Sequence, residues 1–278
     1  MISAEDIIRH IRDLPSLPEV VVELLASIEQ EDVDLHQLAA KITRDQSLTA
    51  KTLRLANSSF YGMQCKVTSI TQAITVLGLH SIRTLVTACS LTRSFAPGPG
   101  NRFDFQGFWR HAVGAAVAAK ALAPHLGQPA DTAFTAALLH DIGTLVLVTR
   151  YPAQYEEVLA HRAQHDCQIG EAERAVFGLE HALVGSMLAA HWKFPAAIVR
   201  AVANHHALTE QDLTALPLTI HAANTLAHAL DLSGREDDLV PPVAERVWRA
   251  LALSDAAWME VFRETEAGFE EMCQILVD

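Results

Sequence analysis

The chain is short of the features that mark several large protein classes. Aromatic residues make up only 6% of its 278 positions, and Ala and Leu dominate the apolar content, which favours closely packed helices over sheets. Cysteine is scarce: Cys65, Cys89, Cys167 and Cys273, with no CxxC pair. A chain of this length needs no disulfide staples, so the pattern points to a reducing cytoplasm. No apolar run reaches the about 18 residues of a membrane span. The opening, MISAEDIIRHIRDLP, lacks the charged-then-apolar order of a signal peptide. No Lys/Arg-rich run occurs, and the net charge is −12 with His neutral. Direct nucleic-acid binding and attachment to an anionic membrane are therefore not expected. There is no strand alternation of useful length, no repeat, and no glycine pattern for a nucleotide. Histidine is too common for a Ser-His-Asp or Cys-His set to be argued.

What the chain does have is helical periodicity and histidine. Ile7, Ile11 and Leu14 recur at helical spacing, as do Val21, Leu24, Leu25 and Ile28 after Pro18. Asp34 reads as the N-cap of a helix carrying Leu38 and Ile42, and a further helix holds Leu48, Leu53 and Leu55. The stretch Asn57–Gly62 breaks the period as a tight loop. Helix resumes through Ile70, Ile74 and Leu77, then from Ile82 to Phe95. Pro97-Gly98-Pro99-Gly100-Asn101 is the clearest linker. Beyond it lie 11 of the 14 histidines, and helices are expected over about 104–124, 131–149, 151–165, 168–177, 180–192, 195–206 and 215–231. Gly178 fits a helix C-cap. Ser233 to Pro242 reads as a polar loop, and Trp258, Phe262, Phe269, Met272 and Leu276 form the stripe of a last helix whose default role is core packing. Phe60-Tyr61-Gly62 reads as an anchored turn, and Arg54 and Arg83 as helix caps or carboxylate partners.

Several of these segments carry a resemblance. Leu14-Pro15-Ser16-Leu17-Pro18 is followed by Asp45-Gln46-Ser47-Leu48-Thr49-Ala50-Lys51, then Leu55-Ala56-Asn57-Ser58-Ser59-Phe60-Tyr61-Gly62. Next come Ser69-Ile70-Thr71-Gln72-Ala73-Ile74 and Leu77-Gly78-Leu79-His80-Ser81-Ile82-Arg83. From about residue 14 to about 210 the chain resembles the HDOD domain, a bacterial signalling module related to the HD phosphohydrolases. The resemblance implies an all-α, multi-helical, two-lobed HD-like bundle with a regulatory role. The expected division is an N-terminal lobe over 1–97, an HD-like lobe over 104–232 and a C-terminal helical extension over 233–278.

The same resemblance implies a metal pocket. HD enzymes hold metal with a His, a His-Asp dyad and a later Asp, with a bound water as nucleophile. The matching positions here are His111, the dyad His140-Asp141, His181 and the pair His205-His206, a set similar to that of two-metal HD-GYP phosphodiesterases. The implied cofactor is a divalent metal: Fe, Mn, Zn or Mg. The other reading is a satisfied hydrogen-bond network that outlived the metal. Three departures count against catalysis. Asn224 stands where the final Asp is expected, Thr144 stands where a Lys would hold substrate phosphate, and the stretch 207–212 does not carry the HD-GYP loop motif of acidic, Gly and Tyr residues. His125, His161, His165, His191 and His228 match no motif and read as solvated surface.

The leading expectation is a signal-transduction module without competent catalysis. It would act by binding a signalling protein partner or a small nucleotide ligand, with its signal arriving in trans. The rival is a metal-dependent phosphohydrolase of nucleotides or cyclic dinucleotides. A third reading is a metal or ligand sensor without turnover.

Overall fold

The computed structural model describes residues 34–58, 66–95, 103–236 and 238–277. The expected helices of 1–33, the loop residues 59–62 with Phe60 and Tyr61, Cys65 and the linker 97–101 lie outside these residues. So do the side chains of His80 and Arg83. Among the described residues the fold is all-α, with no strand.

Helix α1 (Leu35–Arg44) starts where Asp34 accepts the backbone N–H groups of His36 and Gln37 at 2.9 and 3.1 Å, the expected N-cap. It buries Leu38, Ala39 and Ile42. Asp45 ends it and at once caps α2 (Gln46–Ala56), accepting Leu48 N–H at 3.0 Å. Asn57 closes α2 and holds both backbone groups of Val67, each at 2.8 Å. Helix α3 (Ile70–Ser94) is broken at Gly78, whose φ of +77° and ψ of 160° suit glycine.

The centre of the molecule is α4 (Phe105–Leu122), capped by Asp104. Its alanines let neighbours approach from several sides, and it is buried almost all round. After a 3₁₀ turn (Ala123–Leu126) come α5 (Ala130–Leu139), α6 (Ile142–Arg150), α7 (Pro152–His165), α8 (Ile169–Phe177), α9 (His181–His191) and α10 (Ala196–Asn204). Next is α11 (Leu216–Ala229), and after the loop 230–244 the last two are α12 (Glu245–Leu251) and α13 (Asp255–Leu276). Helices α5, α11 and α13 pack on α4.

One correction matters for the site. The expected helix over 131–149 is two helices, interrupted at His140-Asp141. Adjacent helical residues point about 100° apart, so an unbroken helix would splay the dyad. Asp141 instead takes φ −98° and ψ 8° at the start of α6. A second correction concerns hydropathy. The stretch Ala130–Arg150 is long and apolar enough by length and composition to cross a membrane, although no such run was expected. Small neutral residues and the dyad interrupt it without making it polar, and 78% of its most apolar window is buried inside the fold. That burial is what a core element requires.

Helix α13 packs on α2 and α3 as well as on α4. Its last carbonyls receive cations: Arg54 donates to Gln274 O at 2.7 Å and Lys51 to Leu276 O at 3.3 Å. Positive charge at a helix C-terminus satisfies both the free carbonyls and the dipole. Arg54 is thus a helix cap, as expected. The stripe of α13 divides. Phe269, Met272 and Leu276 are core, while Trp258 and Phe262, with exposed Met259, line an apolar groove beside Trp248.

Candidate metal centre

All seven residues expected at the pocket come together. His111 projects from the middle of α4, and its Nε2 lies 2.9 Å from Asn224 Oδ1 on α11 and 3.3 Å from His140 Nε2. His140 Nε2 lies 3.2 Å from the same Asn224 oxygen and 3.3 Å from Asp141 Oδ2. Across Asp141, Oδ1 stands 3.1 Å from His181 Nε2 and 3.4 Å from His205 Nε2. His206 Nε2 lies 2.9 Å from His181 Nε2. Asp141 is therefore the carboxylate shared by two imidazole groups.

The approach of α9 to α6 depends on Gly143. A Cβ there would fall 2.0 Å from His181 O and 2.5 Å from Gly185 N. Only glycine lets the helix that begins at the dyad lie directly against the backbone that carries His181.

The outer nitrogens of three of the rings have partners. His140 Nδ1 donates to Ala137 O at 2.5 Å, His205 Nδ1 to Val202 O at 2.8 Å, and His181 Nδ1 to Glu173 Oε2 at 2.6 Å. Each bond fixes the tautomer and aims Nε2 inward. His205 Nε2 and Asp141 Oδ1 are both buried, and neither has a hydrogen-bond partner, yet they face each other. Two electron-rich atoms in that relation call for a cation between them. Atoms bound to one ion at about 2.1 Å sit roughly 3.0–3.4 Å apart, and the separations here run from 2.9 Å to the 3.7 Å between His111 and Asp141. The residues fit a divalent transition ion. One group is His111, His140 and Asp141, with Asn224 Oδ1 added; the other is Asp141, His181, His205 and His206.

Charge in the pocket is sorted. Burial pushes the His111 imidazole down to about 3, with His228 adding to the shift, and burial pushes His205 down to about 4. Burial and the neighbouring His205 hold His206 well below the usual range. These rings are neutral and ligand-ready near neutral pH. Burial opposes charge on His181 as well, but Glu173 and Asp141 on either side hold it well above the ordinary imidazole range. Asp141 is itself kept well below the carboxylate range: burial would raise it, and His140 and His181 outweigh that.

Four residues at or behind the pocket were missed. Glu173, fully buried on α8, accepts from His181 N–H at 2.8 Å and from its Nδ1. Nothing in the sequence marks it, since a Glu among Glu171, Arg174 and Ala residues reads as solvated. His221 donates through Nδ1 to His205 O at 2.7 Å. His228 was expected on the solvated surface but stacks against His111, ring centroids 4.3 Å apart, and donates to Asp238 at 2.8 Å. A signal for the two histidines was available. Positions 221, 224 and 228 share one face of a helix. Asp238 sits in a loop and gave none. The surface reading suits His125, His165 and His191, which are exposed, and His161 partly so. Thr144 lines the cavity, buried, with no charge to offer. Asp212, in the stretch after the histidine pair, is structural, accepting from Thr209 and from Arg200 at 2.7 Å.

The family profile of the HDOD domain matches residues 14–208. The chain belongs to the HDOD family. Asn224, His221 and His228 lie beyond the match and reach the HDOD pocket on α11. Among solved structures, a protein of Shewanella amazonensis SB2B named as a candidate phosphohydrolase is 27% identical, with 97% of each chain covered and a TM-score of 0.75. An HDOD domain protein of Geobacter sulfurreducens, of unknown function, is 23% identical, with 99% and 97% covered and a TM-score of 0.70. A curated protein of Treponema pallidum (strain Nichols) is 27% identical over 232 residues, 82% of this chain and 45% of that protein. The chain thus spans about half the length of that relative.

Proposed function

We propose that the chain is a cytoplasmic signal-transduction module of the HDOD family that holds divalent metal in its His/Asp pocket without hydrolysing a substrate there. It acts by binding a signalling protein partner, with a small nucleotide as a candidate ligand of the cavity. The net charge of −12 leaves nucleic acid and anionic membrane as unfavourable partners.

The observation that carries this reading is Asn224. Its Oδ1 stands within 3.2 Å of both His111 and His140, at the place of a metal ligand, and brings no charge. Between the inward Nε2 atoms of His140, His181 and His205 the carboxylate is Asp141. A bound divalent ion supplies Lewis acidity and, in a hydrolase, an activated water. Turnover also needs a cation to hold the departing phosphate, and Thr144 offers a hydroxyl instead.

One observation favours the phosphohydrolase alternative. Arg162, Arg174 and Arg235 line the same cavity, and arginine is well shaped for phosphate. The Shewanella relative's name points the same way.

The test is elemental analysis of the purified protein, followed by assay of the metal-loaded protein against cyclic dinucleotides and nucleotides. The expected result is bound Fe, Mn or Zn with no turnover. Turnover that disappears in His140→Ala overturns the non-enzymatic reading.

A further inference from the structure

We infer that His111, His228 and Asp238 form a separate cation site at the mouth of the cavity, suited to a divalent first-row ion such as Zn²⁺. It rests on the reading of the inner pocket only through His111, whose ring the two sites share.

The starting point is a misfit in hydrogen bonding. His111 is 6% exposed, and its Nε2 faces His140 and Asn224. Its Nδ1 is buried with no hydrogen-bond partner. A buried polar atom left unpaired is costly and calls for an explanation. On the far side of the ring lies His228, at 4.3 Å between centroids and tilted by 39°. One ligand atom from each of His111, His228 and Asp238 lies within 4.8 Å of the others, so a small ring rotation brings all three onto one ion with bonds of about 2.1 Å.

The third ligand is held in place. Asp238 Oδ2 accepts from Ser233 Oγ at 2.8 Å, and Ser233 Oγ in turn accepts from Arg235 N–H at 3.1 Å. Support of this kind behind a carboxylate is what orients a metal ligand. Two imidazoles and one carboxylate suit a borderline first-row ion. The remaining coordination positions open into the cavity of about 230 Å³, which Ser233, His228 and Asp238 line. A neutral imidazole has one free lone pair, so His111 can hold an inner and a mouth ion together only by giving up its ring N–H proton to solvent and bridging them as imidazolate, which would fix the ring that the inner group also uses.

The experiment is Zn²⁺ titration by calorimetry with stoichiometry by elemental analysis, on the full chain. The proteins are the wild type, Asp238→Asn, His228→Gln and the inner-pocket variant His205→Ala, each checked for helix content by circular dichroism. Substitution with Co²⁺ gives a second readout in visible absorption. Asp238→Asn and His228→Gln are expected to bind one equivalent fewer than wild type, to lose one Co²⁺ band and to keep the inner titration step. His205→Ala is expected to keep the mouth ion. Wild-type stoichiometry and Co²⁺ spectrum in both mouth variants overturn the mouth site. Wild-type behaviour of His205→Ala overturns the inner reading alone, and a wild type that takes up no ion overturns both.

Discussion

The two sides of the pocket meet at Asp141 and are built from the same imidazoles, yet they are supported differently. On one side His181, His205 and His206 stand in front of Glu173, a fully buried carboxylate. On the other, His111 and His140 stand beside Asn224, and the outer nitrogen of His140 leans on a backbone carbonyl. A carboxylate thus bonds directly to the outer nitrogen of a ligand in one group, whereas in the other the outer carboxylate, Asp238, is reached through His228. One side has three imidazoles and the other two, and the ligands' own hydrogen-bond partners, which set their basicity, widen that difference in affinity for a cation. The Glu173 side should fill first.

The most severe way to break the comparison is Asp141→Asn, which takes the shared carboxylate from both sides. Metal affinity measured by calorimetry should fall more than about 100-fold at every inner step, beyond the range typical of outer-sphere changes. Retention of one tight step would mean that the sides do not share Asp141. Glu173→Gln should act on one side only, weakening the first titration step by about 10–100-fold and leaving the second in place. Equal losses in both steps would show that Glu173 serves the whole pocket through stability. Asn224→Asp should make the sides more alike, strengthening the weaker step on the order of tenfold, or about 1.4 kcal/mol. An unchanged second step would place Asn224 away from the ion. This variant should remain without phosphodiesterase turnover, and Thr144→Lys added to it tests whether the phosphate cation was the remaining lack.

The smallest effect comes from Asp212, a buried carboxylate outside the pocket. Burial raises its pKa, but hydrogen bonds from Thr209, Arg200 and Asn204 outweigh that and hold it below the usual value. A depressed carboxylate stabilises the fold above its unfolded pKa, near about 3.9. That stability fades as pH falls through the lower, folded value. Asp212→Asn should lower the thermal midpoint by roughly 3 °C at neutral pH, the shift expected of ~1 kcal/mol in a chain of this size. The deficit should close in acid, and metal uptake should not change. Altered metal stoichiometry in this variant would mean the loop after the histidine pair belongs to the site.

The candidate set was legible because its members stand at fixed places in the HD pattern. His111, His181, His205-His206 and Asn224 were placed by the match to the HD pattern that the resemblance implies, which helical period alone does not supply. The dyad was legible as a pair but not as a break, since hydropathy through Leu138 to Leu145 runs on without a stop signal; the geometry there comes from packing at Gly143. Glu173 was hidden because burial of a charge depends on the partner brought to it, here His181 N–H and Nδ1. Asp238 was hidden because a loop of 230–244 has no period from which to read direction. His228 is the instructive case. Its phase on α11 matches His221 and Asn224, but no motif marks it.

The caps on α13 bear on how the chain is made. Lys51 and Leu276 are joined across 225 positions, so α2 meets its partner only after that many further residues have been made. At roughly 5–20 residues per second, that leaves a wait of about 10–45 s on the ribosome. Through that interval the face of α2 that α13 will cover stays open, while α4 to α11 can already assemble around their own contacts. A nascent chain stalled before residue 255 should therefore display a finished metal pocket and an unfinished first half, and chaperone capture or proteolysis should fall on the earlier-made segment.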